Sequence, residues 1–272
     1  MRKLSVFSWT VIGLVILSAP AHADQLADIK QRGSLICGTL GTAEPFSFPN
    51  PQTRETQGYD VDFCAAVAKG LGVKLELKLI SVPARITELQ LGRVDIVAAN
   101  LGWTPERAEQ IAFSNSYYVS LQKAAARHAD NLKSPADLSG KRVAAAKGTT
   151  SEAGARKFIS NVSTVTFQDP PAVFLALQQG KVDGVVVSEL VLVKWKQEAP
   201  ANNPIDILEP ALFSEPWGIG MRKDEAALIK QVNGVLDSME KSGEAGKIFD
   251  KWLGTGTTYN LRRGFKVEPI KG

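Results

Sequence analysis

Apolar and polar positions alternate between helix-like and strand-like periods along most of the chain. The switch is clearest from Leu89 to Ala108, LQLGRVDIVAANLGWTPERA. Leu89-Gln90-Leu91-Gly92 reads as a helix end closed by glycine, the residue that most readily takes the left-handed conformation such an end needs. Val94 to Ala99 is a short, mostly apolar run suited to a parallel strand buried on both faces. Asn100-Leu101-Gly102-Trp103 forms the loop off that strand's carboxyl end. Thr104 and Pro105 then start a helix, Thr104 as N-cap and Pro105 at the first helical position. Arg107 falls in the first turn, where the helix dipole disfavours positive charge. The placement makes sense if an anion sits between the guanidinium and the free backbone N–H groups.

The same reading extends in both directions. Leu26 to Arg32 predicts a helix ended by Gly33, and Ser34 to Thr39 a strand. Gly41 to Gly58, containing Glu44-Pro45-Phe46, is a loop long enough to suggest a function. Tyr59 to about Lys69 predicts a helix with Val61, Cys64, Ala65 and Ala68 on one face. Val73 to Leu79 predicts a strand and Pro83 to Leu91 a helix. Ser114 to Ala126 is extended, and His128 to Leu138 is polar. Alternation then restarts with a strand at Arg142 to Ala146. Gly148-Thr149-Thr150-Ser151 turns into a helix from Glu152, with Thr149 and Glu152 at capping-box spacing. A strand follows at Val162 to Phe167 and a helix at Pro171 to Gln179.

Next comes LQQGKVDGV from Leu177, which repeats LQLGRVDIV from Leu89. The repeat sits at the same point of two strand–helix–strand series. It predicts an α/β protein of two similar lobes, each a mostly parallel sheet flanked by helices. Ile205 to Leu208 and Trp217 to Met221 read as strands, Asp224 to Lys241 and Glu244 to Leu253 as helices, and Tyr259 to Gly272 as a polar tail. The expected organisation is residues 24–121 and 214–272 in lobe one and residues 122–213 in lobe two. Two extended crossings between the lobes would form a hinge. Ligands bind off the carboxyl ends of parallel strands, so the loops at Asn100 and Gly148 should both face the cleft.

Composition adds limits to this picture. At 272 residues the chain is long enough for two lobes, and 44% hydrophobic with 22% charged residues is ordinary for a globular protein. Arg2-Lys3, the apolar run Val11 to Leu17 and Ala21-His22-Ala23 together read as a secretory signal cleaved after Ala23. The apolar run is too short to span a bilayer. Without Arg2 and Lys3 the net charge falls from +4 to +2, too balanced to suggest nucleic acid. The two cysteines, Cys37 and Cys64, meet an oxidising compartment after export, so a disulfide is expected, with two buried thiols as the alternative. No Cys/His cluster suggests a metal, and no cofactor is expected.

At this point the residues resemble a known family, the family 3 extracellular solute-binding proteins that serve ABC importers of polar amino acids. The resemblance rests on Ile36-Cys37-Gly38-Thr39, Pro45-Phe46, Gly58-Tyr59-Asp60-Val61-Asp62, Leu89 to Asp95, Thr104-Pro105-Glu106-Arg107, Phe113-Ser114, Tyr117-Tyr118, Leu138 to Val143 and Gly148-Thr149-Thr150. It implies two lobes of a periplasmic-binding-protein fold closing on a ligand, then docking of the closed protein, expected to be monomeric, on an inner-membrane permease. It implies that Arg107 pairs with a ligand carboxylate, a geometry that a guanidinium serves bidentately. Thr149 and Thr150 would hold the same carboxylate from lobe two. Asn100 and Gly102 would contribute from the strand end, Gly102 through its backbone alone because it has no side chain where a Ser or Thr is common.

Three positions depart from the family pattern. The Asp that usually holds the ligand ammonium falls at Ser188, and the two usual aromatic walls fall at Ala43 and Val82. An ammonium without a carboxylate in a closed cleft is costly. Either Glu44 or Glu189 replaces the Asp, or the ligand is not an ordinary α-amino acid. Arg85, if it faces the cleft, points to a second anionic or strongly polar group on the ligand. Trp103 either packs on the ligand or between loop and lobe, and Trp217 is expected in the core or hinge. A dehydratase-like enzyme on the same scaffold, with Glu189 or Glu44 as general acid, is the alternative. With His128 as the one histidine after cleavage, a Ser–His–Asp or Cys–His site is hard to assemble. A ligand-presenting sensor is a further alternative.

Overall fold

The computed structural model describes residues 24–271, so the expected signal peptide lies outside the described residues. In chain order the first lobe contains α1 (Gln25–Arg32), β1 (Ser34–Thr39), the paired β2 (Phe48–Pro49) and β3 (Thr56–Gln57), α2 (Tyr59–Leu71), β4 (Lys74–Leu79), α3 (Arg85–Gln90), β5 (Ile96–Val97) and α4 (Pro105–Gln110). The long β6 (Ala112–Arg127) leaves it. The second lobe is β7 (Arg142–Ala146), α5 (Thr150–Phe158), β8 (Ser163–Phe167), α6 (Pro170–Gln178), β9 (Gly184–Ser188) and α7 (Glu189–Glu198). The long β10 (Ile205–Met221) returns to the first lobe, which α8 (Ala226–Ser242) and α9 (Glu244–Leu253) complete.

One eight-stranded sheet runs through both lobes in the order β4-β1-β5-β10-β6-β9-β7-β8. Each outer triplet is parallel, and β6 and β10 pair antiparallel in the middle. The order reads the same from either edge, as two copies of one lobe plan would require. The repeated sequence explains the symmetry. The N–H of Asp95 donates to the Ile36 carbonyl while its carboxylate accepts from the Ile36 N–H, both at 2.8 Å. Asp183 does the same to Arg142, at 2.8 and 2.9 Å. Each Asp thus locks the start of a strand to the centre of its lobe. The glycine three residues earlier, Gly92 or Gly180, has φ of +65° or +67°, which a side chain would strain.

The elements differ from the expected ones in two places. β5 is two residues long rather than six, because its ladder ends where Asn100 turns to φ +50°. The two strands expected after residue 204 are one strand, irregular between Leu208 and Phe213, where Pro210 has no N–H to give the ladder. The polar tail is docked on the first lobe. Ser116 donates its N–H to the Glu268 carbonyl at 2.8 Å, Val267 is buried, and Arg263 grips Glu240 through two nitrogens.

The larger core lies under β1, α2, α8 and α9. Cys37 on β1 and Cys64 on α2 form the expected disulfide across it, with Cα atoms 6.1 Å apart. At the crossing strands, Phe46, Tyr59, Tyr118 and Trp217 make an aromatic cluster, with Phe46 and Trp217 centroids 4.7 Å apart. Trp217 is 1% exposed and so belongs to the core and the crossing at once. No helix among the described residues is long and apolar enough to cross a membrane.

Candidate functional site

Between the lobes lies a cavity of about 40 Å³, space for a few water molecules. Its walls include Arg85, Asn100, Thr149, Thr150, Ser188 and Glu215. The two loops expected at the cleft are there. The first is held from below by Asp60, whose carboxylate accepts the Asn100 N–H at 2.9 Å and the Tyr117 hydroxyl at 2.7 Å. Burial of Asp60 pushes its carboxyl up to about 7, against those two donors.

Arg85 is buried at the start of α3. Its guanidinium donates to the carbonyls of Val82, Ala99 and Asn100 at 2.8–2.9 Å. Burial, then the nearby Arg107 charge, lower it to about 9. Arg107 stands at the third position of α4, behind the Thr104 cap, whose hydroxyl accepts the Arg107 N–H at 3.2 Å. Its guanidinium donates to the Gly102 carbonyl at 2.6 Å and reaches over to the Gly148 carbonyl at 2.9 Å. Arg85 approaches the same carbonyl at 3.4 Å. Two cations from lobe one therefore converge on one turn of lobe two.

That turn is the start of α5. The Thr149 hydroxyl is committed to capping: it accepts from the Glu152 N–H at 3.1 Å and donates to the Ala146 carbonyl at 2.6 Å. Glu152 reaches back to the Gly148 N–H at 2.8 Å, a capping box displaced by one residue from the ideal. The Thr150 hydroxyl points into the cleft and donates to Glu215 at 3.0 Å.

Glu215, on β10, is the residue that sequence reasoning missed. It is 6% exposed. Its Oε1 accepts from Gln122, Thr150 and the Trp217 indole at 2.9–3.0 Å, while the buried Oε2 has no hydrogen-bond partner. Burial raises its carboxyl, and the indole, hydroxyl and two arginines only partly oppose this. It fits because residue 102 is glycine. A Cβ built on Gly102 would lie 2.5 Å from the Glu215 Cδ, nearer than atoms approach. The only sequence signal was that vacant side chain at position 102.

The other expected contacts are placed differently. Ser188 does line the cavity, and its hydroxyl accepts from Ser120 at 3.1 Å. Glu44 pairs with Lys194 at 3.2 Å and Glu189 with Lys123 at 2.7 Å. Neither is on the cavity wall, because the Glu44 loop and the start of α7 turn these carboxylates toward Lys194 and Lys123. Trp103 faces an outer groove with Phe158 and Phe213, its N–H bound to the Pro216 carbonyl at 2.9 Å, so it packs loop against crossing strand. Ala43 and Val82 line the cavity as small apolar walls. Among the described residues no group of His, Cys, Asp and Glu could hold a metal ion.

Comparison with known proteins adds the context. Residues 35–255 match the profile of the bacterial extracellular solute-binding proteins, family 3. The L-cystine-binding protein TcyJ of Escherichia coli K12 is 29% identical over 246 residues, 89% of this chain and 91% of that protein. An ancestral arginine-binding protein bound to glutamine superposes with a TM-score of 0.77 at 35% identity, covering 82% of this chain and 99% of that one. The ancestral amino acid-binding protein AncCDT-1, a precursor of cyclohexadienyl dehydratase, gives 0.77 at 32% identity, covering 85% of this chain and all of that one.

Proposed function

Since the chain belongs to family 3 of the bacterial extracellular solute-binding proteins, we propose that it is the periplasmic binding component of an ABC importer for an amino acid or a close derivative. The observation that carries this reading is Arg107 reaching from lobe one to Gly148 at the head of α5. A carboxylate placed there meets a guanidinium from one lobe and, from the other, the helix N–H groups at Thr150, whose hydroxyl is already given to Glu215. One anion then joins both halves, so binding and closure are the same event. Arg85 adds a second cation beside it and favours a ligand with a further anionic or strongly polar group. Asn100 and the Gly102 backbone border this subsite.

The lobes divide, in this reading, at residues 121 and 214, beside the irregular stretch of β10. The first 23 residues are an export signal, the mature protein is monomeric, and its docking partner is a membrane permease. A dehydratase-like reading has the AncCDT-1 likeness behind it. The pairing of Glu44 and Glu189 with lysines removes the general acids it called for and favours binding without turnover.

The test is a thermal-unfolding screen against the proteinogenic L-amino acids and L-cystine. A ligand at about one hundred times its Kd stabilises by about 2.7 kcal/mol, which in a protein of this size raises Tm by about 5–10 °C. Arg107→Ala should abolish the response. A full response in that variant would refute the clamp, and release of a chemically altered product would favour the enzyme.

A further inference from the structure

The proposed clamp explains a carboxylate and leaves the ligand's amino group without its usual acceptor, because residue 188 is Ser. The other described carboxylates near the cleft are already committed. Glu44 and Glu189 are paired with Lys194 and Lys123. Asp60 lies beneath the Asn100 loop, with one oxygen taken by Tyr117 and the other by the Asn100 N–H. Glu215 alone lines the cavity among the described carboxylates.

Its surroundings are those of a fixed acceptor. Three donors from three places, Gln122 on β6, Thr150 on α5 and Trp217 on β10, converge on Oε1 and hold the group still. Oε2 is buried and has no partner. A second buried acceptor without a partner, Asn100 Oδ1, belongs to a residue on the same cavity wall. Among the described residues no lysine or arginine forms an ion pair with Glu215, although the Arg107 and Arg85 charges act on it from farther off. A buried carboxylate with an unpartnered oxygen and no paired cation calls for one. The polar network also links this residue to the old position: Ser188 to Ser120, Ser120 to Gln122, Gln122 to Glu215. Glycine at 102 is what makes the space.

Resting on the reading of the protein as an amino-acid binder, we propose that Glu215 is the acceptor for the ligand's ammonium group. The negative charge then stands on the crossing strand β10 rather than at the start of α7, and Gly102 and Glu215 act as one specificity-determining pair. The site thereby requires a ligand that carries both a carboxylate and an amine, and it rejects a plain carboxylic acid.

The experiment is isothermal titration of the strongest responder in the amino-acid screen, and of its α-deamino analogue, into the wild type, Glu215→Gln, and Glu215→Gln combined with Ser188→Asp. Glutamine keeps the Oε1 acceptor for its three donors, so the fold should persist, which circular dichroism checks. The wild type should prefer the amino acid. Glu215→Gln should weaken the amino acid by about tenfold to a hundredfold, the range of one charge-assisted hydrogen bond, and leave the deamino analogue nearly unchanged. The added Asp should restore much of the loss. An equal loss for both compounds, unchanged binding, or tighter binding in Glu215→Gln would each overturn the proposal. The tighter result would mean that Glu215 competes with the ligand's own carboxylate. If no amino acid shifts the wild type, the amino-acid reading fails and this assignment falls with it.

Discussion

The buried Asp60 makes a prediction about pH that separates its role from every exposed carboxylate. Its carboxyl is raised from 3.8 to about 7, chiefly by burial. The folded protein therefore holds a proton there that the unfolded chain has lost, between about pH 4 and pH 7. Stability falls with pH wherever the folded state binds more protons. The contribution is complete below the unfolded value and is lost as pH rises through the folded one. About three pH units at 1.36 kcal/mol each give a loss of about 4 kcal/mol. The carboxylates held below their usual range, such as Asp183 paired with Arg142, titrate at lower pH and leave this window clear. Glu215 changes in the same direction as Asp60, so the comparison must be with a variant. Asp60→Asn keeps the shape and an acceptor for the Asn100 N–H, and it cannot ionise. Urea unfolding of both proteins from about pH 5 to about pH 8 should show the wild type losing stability relative to Asp60→Asn by a few kcal/mol. Parallel curves, or a wild type that gains on the variant as pH rises, would refute a buried Asp60 that ionises near neutrality.

Three further outcomes follow from other parts of the structure. The disulfide closes a 27-residue separation, so Cys37→Ser with Cys64→Ser should cost about 3.5 kcal/mol in the chain-entropy account and lower Tm by about 10 °C, read by calorimetry without reductant. The two repeat aspartates should differ. Asp95 is nearly buried and Asp183 is 29% exposed at its side chain, so Asp95→Asn should cost about 1–3 kcal/mol and Asp183→Asn less than about 1 kcal/mol in urea unfolding. Thr150→Val removes one donor to Glu215, and titration of the best amino acid should show about fivefold to tenfold weaker binding with Tm of the free protein little changed.

The fold was legible because its signals are local. Thr104-Pro105 and Thr149 with Glu152 are capping patterns that act within one turn, and both start helices in the structure. The LQLGRVDIV and LQQGKVDGV segments carried the lobe symmetry because each Asp bonds to the first residues of its own lobe's central strand. What was not legible depends on distant partners. β5 looked six residues long from its apolar run, and the turn at Asn100 that follows it is held by Asp60, forty residues upstream. The tail read only as polar, and its docking depends on Glu240 and Ser116.

The candidate site divides along the same line. Arg107 could be singled out because a cation at a helix start is anomalous wherever the rest of the chain lies. Glu44 and Glu189 were chosen by nearness in sequence to positions that had lost a familiar residue, but a neighbour one step along a loop or a new helix points in another direction. Their lysine partners, Lys194 and Lys123, lie on elements whose packing no spacing rule supplies. Glu215 sits on the same strand as Trp217, two residues away and therefore on the same face. Only the pairing of β10 with β6 brings that face over the cleft, beside Gln122. The absent side chain at Gly102 and the carboxylate at Glu215 depend on each other, since a Cβ at the first would displace the second. The proposed acceptor is found by asking which buried acid faces the space that the glycine leaves, and Glu215 is the carboxylate there.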